Sequence, residues 1–353
     1  TPWQIREAAI YSIEQGKTFY TANRGLSELR KEICRYQKRK FNLDYEYDKN
    51  CIVTVGGSEA IDLAFRAIIN PGDEVILLQP SYVAYTPGVV LSGGKTVDII
   101  LKEENEFKLT PELLESAITP KTKAILLNYP SNPTGGFMTK EDYEKIVPII
   151  KKHELIVITD EIYAELSYEQ KFCSIASFDE IKDQVILVSG FSKAYAMTGW
   201  RIGYVAANKT IIDAIKKIQS QTTSATSAIS QKAAVAALSG PQHDLEVMVA
   251  EFDKRRIYLL QRLAEMPGIS CAKPRGAFYL LPDFSCYFGK KYRGREIKDA
   301  VDFANILLEA VLVALVPGEA FNIKGKVRLS YSNSMENLKE AMDRIQTFVR
   351  ELE

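Results

Sequence analysis

Histidine is almost absent from this chain. Only His153 and His243 occur among 353 residues. That is too few for a histidine-rich metal site, and a Ser-His-Asp hydrolase has little raw material. Cysteine is scarce too: Cys34, Cys51, Cys173, Cys271 and Cys286 are scattered, odd in number and form no Cys-x-x-Cys pair. Neither a zinc knuckle nor a disulfide framework is indicated, and a reducing, cytoplasmic setting is the expectation. Net charge is missing as well, since 45 basic residues balance 45 acidic ones. No basic field therefore points to nucleic acid or to an anionic membrane. No run of 18 or more apolar residues occurs, and the first residues lack a charged-then-apolar leader. Internal repeats and low-complexity segments are also lacking.

What is present is the composition of a globular chain, 46% hydrophobic and 25% charged. It is long enough to bury a sizeable core and to divide into two domains. The opening residues read as a helix with Thr1 as N-cap, Pro2 at the first helical position and Gly16 near its end. Ile5, Ala9 and Ile13 give that helix one apolar face. Because the numbering begins on a helix cap, a further segment is expected upstream. A turn at Gly25 leads into a second helix from about Ser27, with Tyr20 in the loop before it.

From Cys51 the pattern alternates. Strand-like apolar runs fall at 51–55, 75–78, 96–101, 124–127, 156–159, 185–188 and 202–206, with helical patterns around 58–70, 111–118, 139–153 and 210–219. This alternation predicts an α/β fold with a mostly parallel seven-stranded sheet covered by helices. Ligands of such sheets bind beyond the carboxyl ends of the strands, and the unusual residues of this chain stand there. After a Ser/Thr-rich loop come helices at 227–240 and 244–265. Strands at 276–284 and 326–332 and helices near 296–311 and 335–352 follow. A boundary at Pro241 would separate a large cofactor-binding domain, 1–240, from a smaller α+β domain, 241–353.

Residues 185–207, VILVSGFSKAYAMTGWRIGYVAA, carry the chemistry. Lys193 follows a buried strand and a small hydroxylated turn containing Ser189 and Ser192. Burial and nearby cations would lower its pKa and make it an amine nucleophile. Arg201, eight residues on, offers a bidentate clamp for phosphate. Together they point to a Schiff base between Lys193 and pyridoxal phosphate. At the first strand end, VGGSEAID places Gly57, Ser58 and Glu59 at a helix start, where free N–H groups and the dipole suit an anion. Tyr82 and Tyr85 follow the second strand as candidate stacking faces. In NYPSNPTGG the prolines are read as holding the backbone extended, with Asn128 and Asn132 offering amides to a ligand. The fifth strand ends in TDEIY, which holds Asp160, a carboxylate with no obvious local partner that needs a cationic mate such as a protonated pyridine nitrogen, and Tyr163, a donor for a phenolate oxygen.

With YTANRGLSELR, GAFY and VRLSYS added in the same order, the whole chain resembles the class I and II aminotransferases of pyridoxal-phosphate fold type I. The likeness leans to the bacterial branch of aromatic, aspartate and N-acetyl-diaminopimelate aminotransferases. The resemblance implies an enzyme that moves the amino group of an L-amino acid to a 2-oxo acid such as 2-oxoglutarate. It implies Lys193 as the Schiff-base lysine, Asp160 at the pyridine nitrogen, and Asn132 and Tyr163 at the ring oxygen. It implies Tyr82 against the ring, and Arg201, Gly57, Ser58, Glu59 and Ser192 or Ser189 at the phosphate. Arg328 would grip the substrate carboxylate, and Tyr20 would reach the phosphate of the neighbouring subunit in a homodimer. No metal, membrane or nucleic acid is implied. Two alternatives keep the fold: a β-eliminating carbon–sulfur lyase with the same cofactor, and a non-catalytic regulator. The latter lacks a spare DNA-binding domain or basic patch here. The preferred donor stays open, because the family's N-terminal segment lies outside these residues.

Overall fold

A computed structural model describes residues 1–353. The chain opens with α1 (Trp3–Glu14) and α2 (Ser27–Phe41). Then come β1 (Cys51–Thr54), α3 (Gly56–Ile68), β2 (Glu74–Gln79), α4 (Tyr85–Leu91), β3 (Lys95–Ile100) and α5 (Pro111–Ala117). They are followed by β4 (Thr122–Asn128), α6 (Lys140–Lys152), β5 (Ile156–Asp160), β6 (Val185–Gly190), β7 (Gly203–Ala206) and α7 (Lys209–Thr222). The seven expected strands form one sheet in the order β1-β7-β6-β5-β4-β2-β3, with β7 alone running against its neighbours. The order reverses between β2 and β4, and a crevice opens past their carboxyl ends at such a reversal.

Both faces of the sheet are buried. Along β1, Cys51 and Val53 pack into one apolar cluster and Ile52 into the other, as a period of two requires. One face is covered by α1, α2, α5, α6 and α8 (Ala228–Ser239), the other by α3, α4 and α7. Helix α1 differs from expectation in its inward face. Ser12 is buried there with Ile5 and Ala9, while Ile13 is 52% exposed. Thr1 makes no cap; its hydroxyl donates to the Ala196 carbonyl at 2.7 Å and accepts from the Trp200 indole N–H at 3.1 Å.

The rest of the chain forms α9 (His243–Ala264), β8 (Tyr279–Leu280), β9 (Lys291–Tyr292), β10 (Arg295–Glu296), α10 (Ala300–Val311), β11 (Val316–Pro317), β12 (Val327–Ser330) and α11 (Met335–Arg350). Strands β11, β12 and β8 make a small antiparallel sheet, packed by α9, α10 and α11 into a third apolar cluster. The expected strand at 276–284 shrinks to two residues. Ala277 takes φ +58° and sends its N–H to the Leu166 carbonyl, while Pro282 has no N–H to give. No helix is long and apolar enough to cross a membrane.

Candidate active site

Beyond the strand ends of the large sheet lies a cavity of about 400 Å³. Its wall includes Gly57 and Ser58 from the first turn of α3, Tyr82 and Tyr85 after β2, and Asn128 and Asn132 at the end of β4. Asp160 and Tyr163 come from the end of β5, Ser192 and Lys193 from the turn after β6, and Arg201 precedes β7. The small sheet contributes Tyr279 and Arg328, so the wall is assembled from two separate sheets.

Close backbone contact sets the phosphate-like corner. A Cβ on Gly56 would fall 2.5 Å from an Arg201 guanidinium nitrogen, and one on Gly203 would fall 2.7 Å from the Gly56 carbonyl carbon. Gly56 also takes φ +74°. Only glycine at both positions lets Arg201 lie against the start of α3, where the helix's own first N–H groups lack partners within it. Arg201 itself sits at φ +50° and donates from Nη1 to the Thr198 carbonyl at 3.0 Å.

Asp160 is the only carboxylate in the cavity wall, and it is buried. The sequence suggested no local partner for it, but the Tyr85 hydroxyl donates to Oδ2 at 2.8 Å and the Ile162 N–H to Oδ1 at 3.2 Å. Burial still pushes its pKa up to about 6, against the downward pull of those two donors and of Lys193. A cation lodged beside it would hold the carboxylate charged.

The Lys193 side chain has no hydrogen bond or ion pair, and its Nζ stands 5.9 Å from the Tyr163 ring centroid and 5.7 Å from that of Phe278. Its pKa lies below the ordinary lysine value, through burial first; Asp160 opposes, and the Arg201 and Arg328 guanidiniums add to the lowering. Arg328 donates from Nη1 to Asn132 Oδ1 at 2.9 Å, and its guanidinium is sandwiched between Tyr279 and Phe321, 4.6 and 4.7 Å from their centroids. Its Nε is buried without a partner. Three cations thus face one carboxylate, and none of the four is ion-paired. A cavity so charged is suited to an anionic ligand.

Several residues depart from the sequence reading. Of the two serines, Ser192 lines the cavity, while the Ser189 hydroxyl turns to the Glu161 carbonyl at 3.4 Å. Glu59 is not such a departure: its carboxylate accepts from the Val55 N–H at 2.5 Å and caps α3, while the expectation concerned its backbone N–H. Asn128 spends its amide on the protein, donating to the Asp160 carbonyl at 2.9 Å and accepting from the Asn132 N–H at 3.0 Å. The segment after it is a turn, not an extended run, closed by the Gly135 N–H on the Ser131 carbonyl. Nor is Tyr20 a departure: expected at the neighbouring subunit's site, it lies outside this chain's own cavity wall and is 93% exposed. Sequence reasoning missed Tyr279 and Thr198 as wall residues; the aromatic in GAFY was the available signal for the first.

The family model for aminotransferase class I and II matches residues 1–345. The chain is 42% identical over 356 residues to an aspartate aminotransferase of Bacillus subtilis (strain 168), covering 99% of this chain and 88% of that enzyme. The crystal structure of the aspartate aminotransferase from Rhizobium meliloti matches with a TM-score of 0.96 at 39% identity, over 100% of this chain and 89% of that one. An aromatic aminotransferase from Pyrococcus horikoshii matches with a TM-score of 0.94 at 37% identity, over 99% and 93%.

Proposed function

The chain belongs to the class I and II aminotransferases, and on that premise we propose that its strand-end cavity seats pyridoxal phosphate with Lys193 as the covalent anchor. The enzyme is a pyridoxal phosphate-dependent transaminase, and the carbon–sulfur lyase alternative finds no support among its relatives. The observation that carries the residue assignment is the unpaired cation excess around the lone Asp160. The wall fits the group: Arg201 against the α3 start suits a phosphate, and Arg328 keeps a buried, unpartnered Nε.

When bound, the cofactor supplies an electron sink for the bond broken at the substrate Cα. Asp160 would hold a negative charge at the ring nitrogen and keep it protonated. Tyr163 and Asn132 would meet the ring oxygen, and Tyr82 the ring face. Arg201, Ser192 and the N–H groups of Gly57, Ser58 and Glu59 would bind the phosphate. Arg328, oriented by Asn132, would bind the substrate carboxylate. Lys193, with its lowered pKa, is suited to act as nucleophile and then to take and return the α-proton at Nζ.

The large and small sheets would belong to separate domains divided near Pro241. The exposed Tyr20 supports a homodimer in which it completes the partner's phosphate site. Five unpaired cysteines support a reducing, cytoplasmic setting. Screening amino donors against 2-oxoglutarate tests the reading: turnover of at least one aspartate-like, aromatic or diaminopimelate-like donor is expected. A complete lack of amino transfer by cofactor-loaded protein would sink it.

A further inference from the structure

Tyr279 has no role in the assignment above, yet it touches two residues that do. Its hydroxyl lies 2.9 Å from that of Tyr163, and its ring carries the Arg328 guanidinium 4.6 Å from the centroid. Tyr163 follows β5 of the large sheet and Tyr279 lies in β8 of the small one, so this hydroxyl pair joins the two sheets across the cavity. Neither hydroxyl has another hydrogen-bond partner. Resting on the placement of Tyr163 at the ring oxygen, we propose that Tyr279 is a positioning residue that aims the Tyr163 proton into the cavity and seats Arg328 at the same time.

The phenolic protons decide how the pair is ordered. Each phenol has one, and in this pair either oxygen can be the donor. If Tyr163 donates to Tyr279, nothing is left for a ligand. Once an anionic oxygen sits beside Tyr163, one order satisfies every group: Tyr279 donates to Tyr163, and Tyr163 donates inward. Hydrogen bonds in such a chain polarise and strengthen one another. Both phenols stay neutral, because burial raises their pKa values, with the pair's own interaction and Asp160 adding to the rise at Tyr163. The other titratable groups facing Tyr163 are Asp160, Lys193, Tyr85 and Arg328. None of these four hydrogen-bonds to its hydroxyl; Tyr279 alone does. The same ring is one of the two faces that hold Arg328 flat.

The test uses the holoenzyme and reads the spectroscopic pKa of the bound cofactor. Tyr279→Phe keeps the ring and removes the proton. Weakening Tyr163 as a donor leaves more charge on the ring oxygen, and the proton shared beside it is then harder to remove. The pKa should rise by roughly half a pH unit, the scale of one net hydrogen bond. The KM for the amino donor should stay within about threefold, because the stacked ring is retained. Tyr279→Leu should also raise that KM by about tenfold, as the guanidinium loses one face. Tyr163→Phe should shift the pKa further, and adding Tyr279→Phe to it should change nothing more. A shift in Tyr163→Phe with none in Tyr279→Phe, or additive shifts in the double variant, would overturn the role of Tyr279 alone. An unmoved pKa in Tyr163→Phe would overturn the placement of Tyr163, and the role of Tyr279 with it.

Discussion

The Tyr85 hydroxyl donates to Asp160 Oδ2 across 2.8 Å, from the first residue of α4 to the last residue of β5. Both groups are buried. This bond favours the charged carboxylate, so its loss in Tyr85→Phe raises the Asp160 pKa from its present value of about 6. The neutral form then dominates to higher pH. Cofactor affinity should fall by about tenfold at pH 6 and by clearly less at pH 8, the size of one hydrogen bond to a charged group. Equilibrium titration of apoenzyme with pyridoxal phosphate at the two pH values checks it, and an equal loss at both would contradict the role.

Asp160→Asn should keep the fold and bind some cofactor, because the asparagine oxygen still accepts from the Ile162 N–H and its NH2 can donate to the Tyr85 hydroxyl oxygen. It should lose about 3 kcal/mol of transition-state stabilisation, a typical value for one preorganised charge. Single-turnover rates measure this. A rate within threefold of the parent would remove Asp160 from the mechanism.

Lys193→Ala should abolish amino transfer and the borohydride-fixable bond to the cofactor, since no other lysine lines the cavity. Mass spectrometry after reduction gives the answer. Persistent labelling of another lysine would show that the anchor has been misassigned.

Glu161, beside Asp160, is buried and accepts from Ser174 and Thr159 at 2.6 and 3.1 Å. Burial pushes its pKa up to about 8 against the pull of those hydroxyls. A raised pKa means that the neutral acid's contribution is fully present below the ordinary carboxyl value and fades as pH rises through 8. Glu161→Gln keeps the acceptor oxygen and cannot ionise. Its melting temperature should match the parent at pH 5 and exceed it by about 3 °C at pH 8 to 9. Calorimetry that finds the same offset at both pH values would contradict this.

Shared sites predict complementation. Mixing Lys193→Ala with Tyr20→Ala under subunit exchange puts both lesions into one site and leaves the other intact. Activity should recover towards half of the parent level per mixed dimer. No recovery despite proven exchange would mean that each chain completes its own site.

Six strands of the large sheet were legible because each is a short apolar run buried on both faces, as in VILVSG of β6, whereas the edge strand β3 buries only Ile99. The cavity residues were legible because they stand at strand ends. What escaped the sequence were pairings between distant segments. Tyr85 and Asp160 lie 75 residues apart, and Tyr163 and Tyr279 lie 116 apart. No local pattern announces such partners. The strand at 276–284 was read too long for a related reason: a positive φ at Ala277 and its bond to Leu166 depend on a loop far away in sequence. At α1 the apolar period pointed to Ile13, yet the helix turns Ser12 inward and returns its hydroxyl to the Ala9 carbonyl at 2.8 Å.

The contact between Gly56 and Gly203 bears on how this enzyme could be redesigned. Any added side chain there strikes backbone or Arg201, so the anion corner is closed to variation and will be inherited unchanged by every working variant. The opposite rim hangs on two-residue and four-residue strands of the small sheet. Libraries aimed at a new amino donor should therefore leave that corner alone and be spent on the small-sheet rim around, but not at, Tyr279 and Arg328.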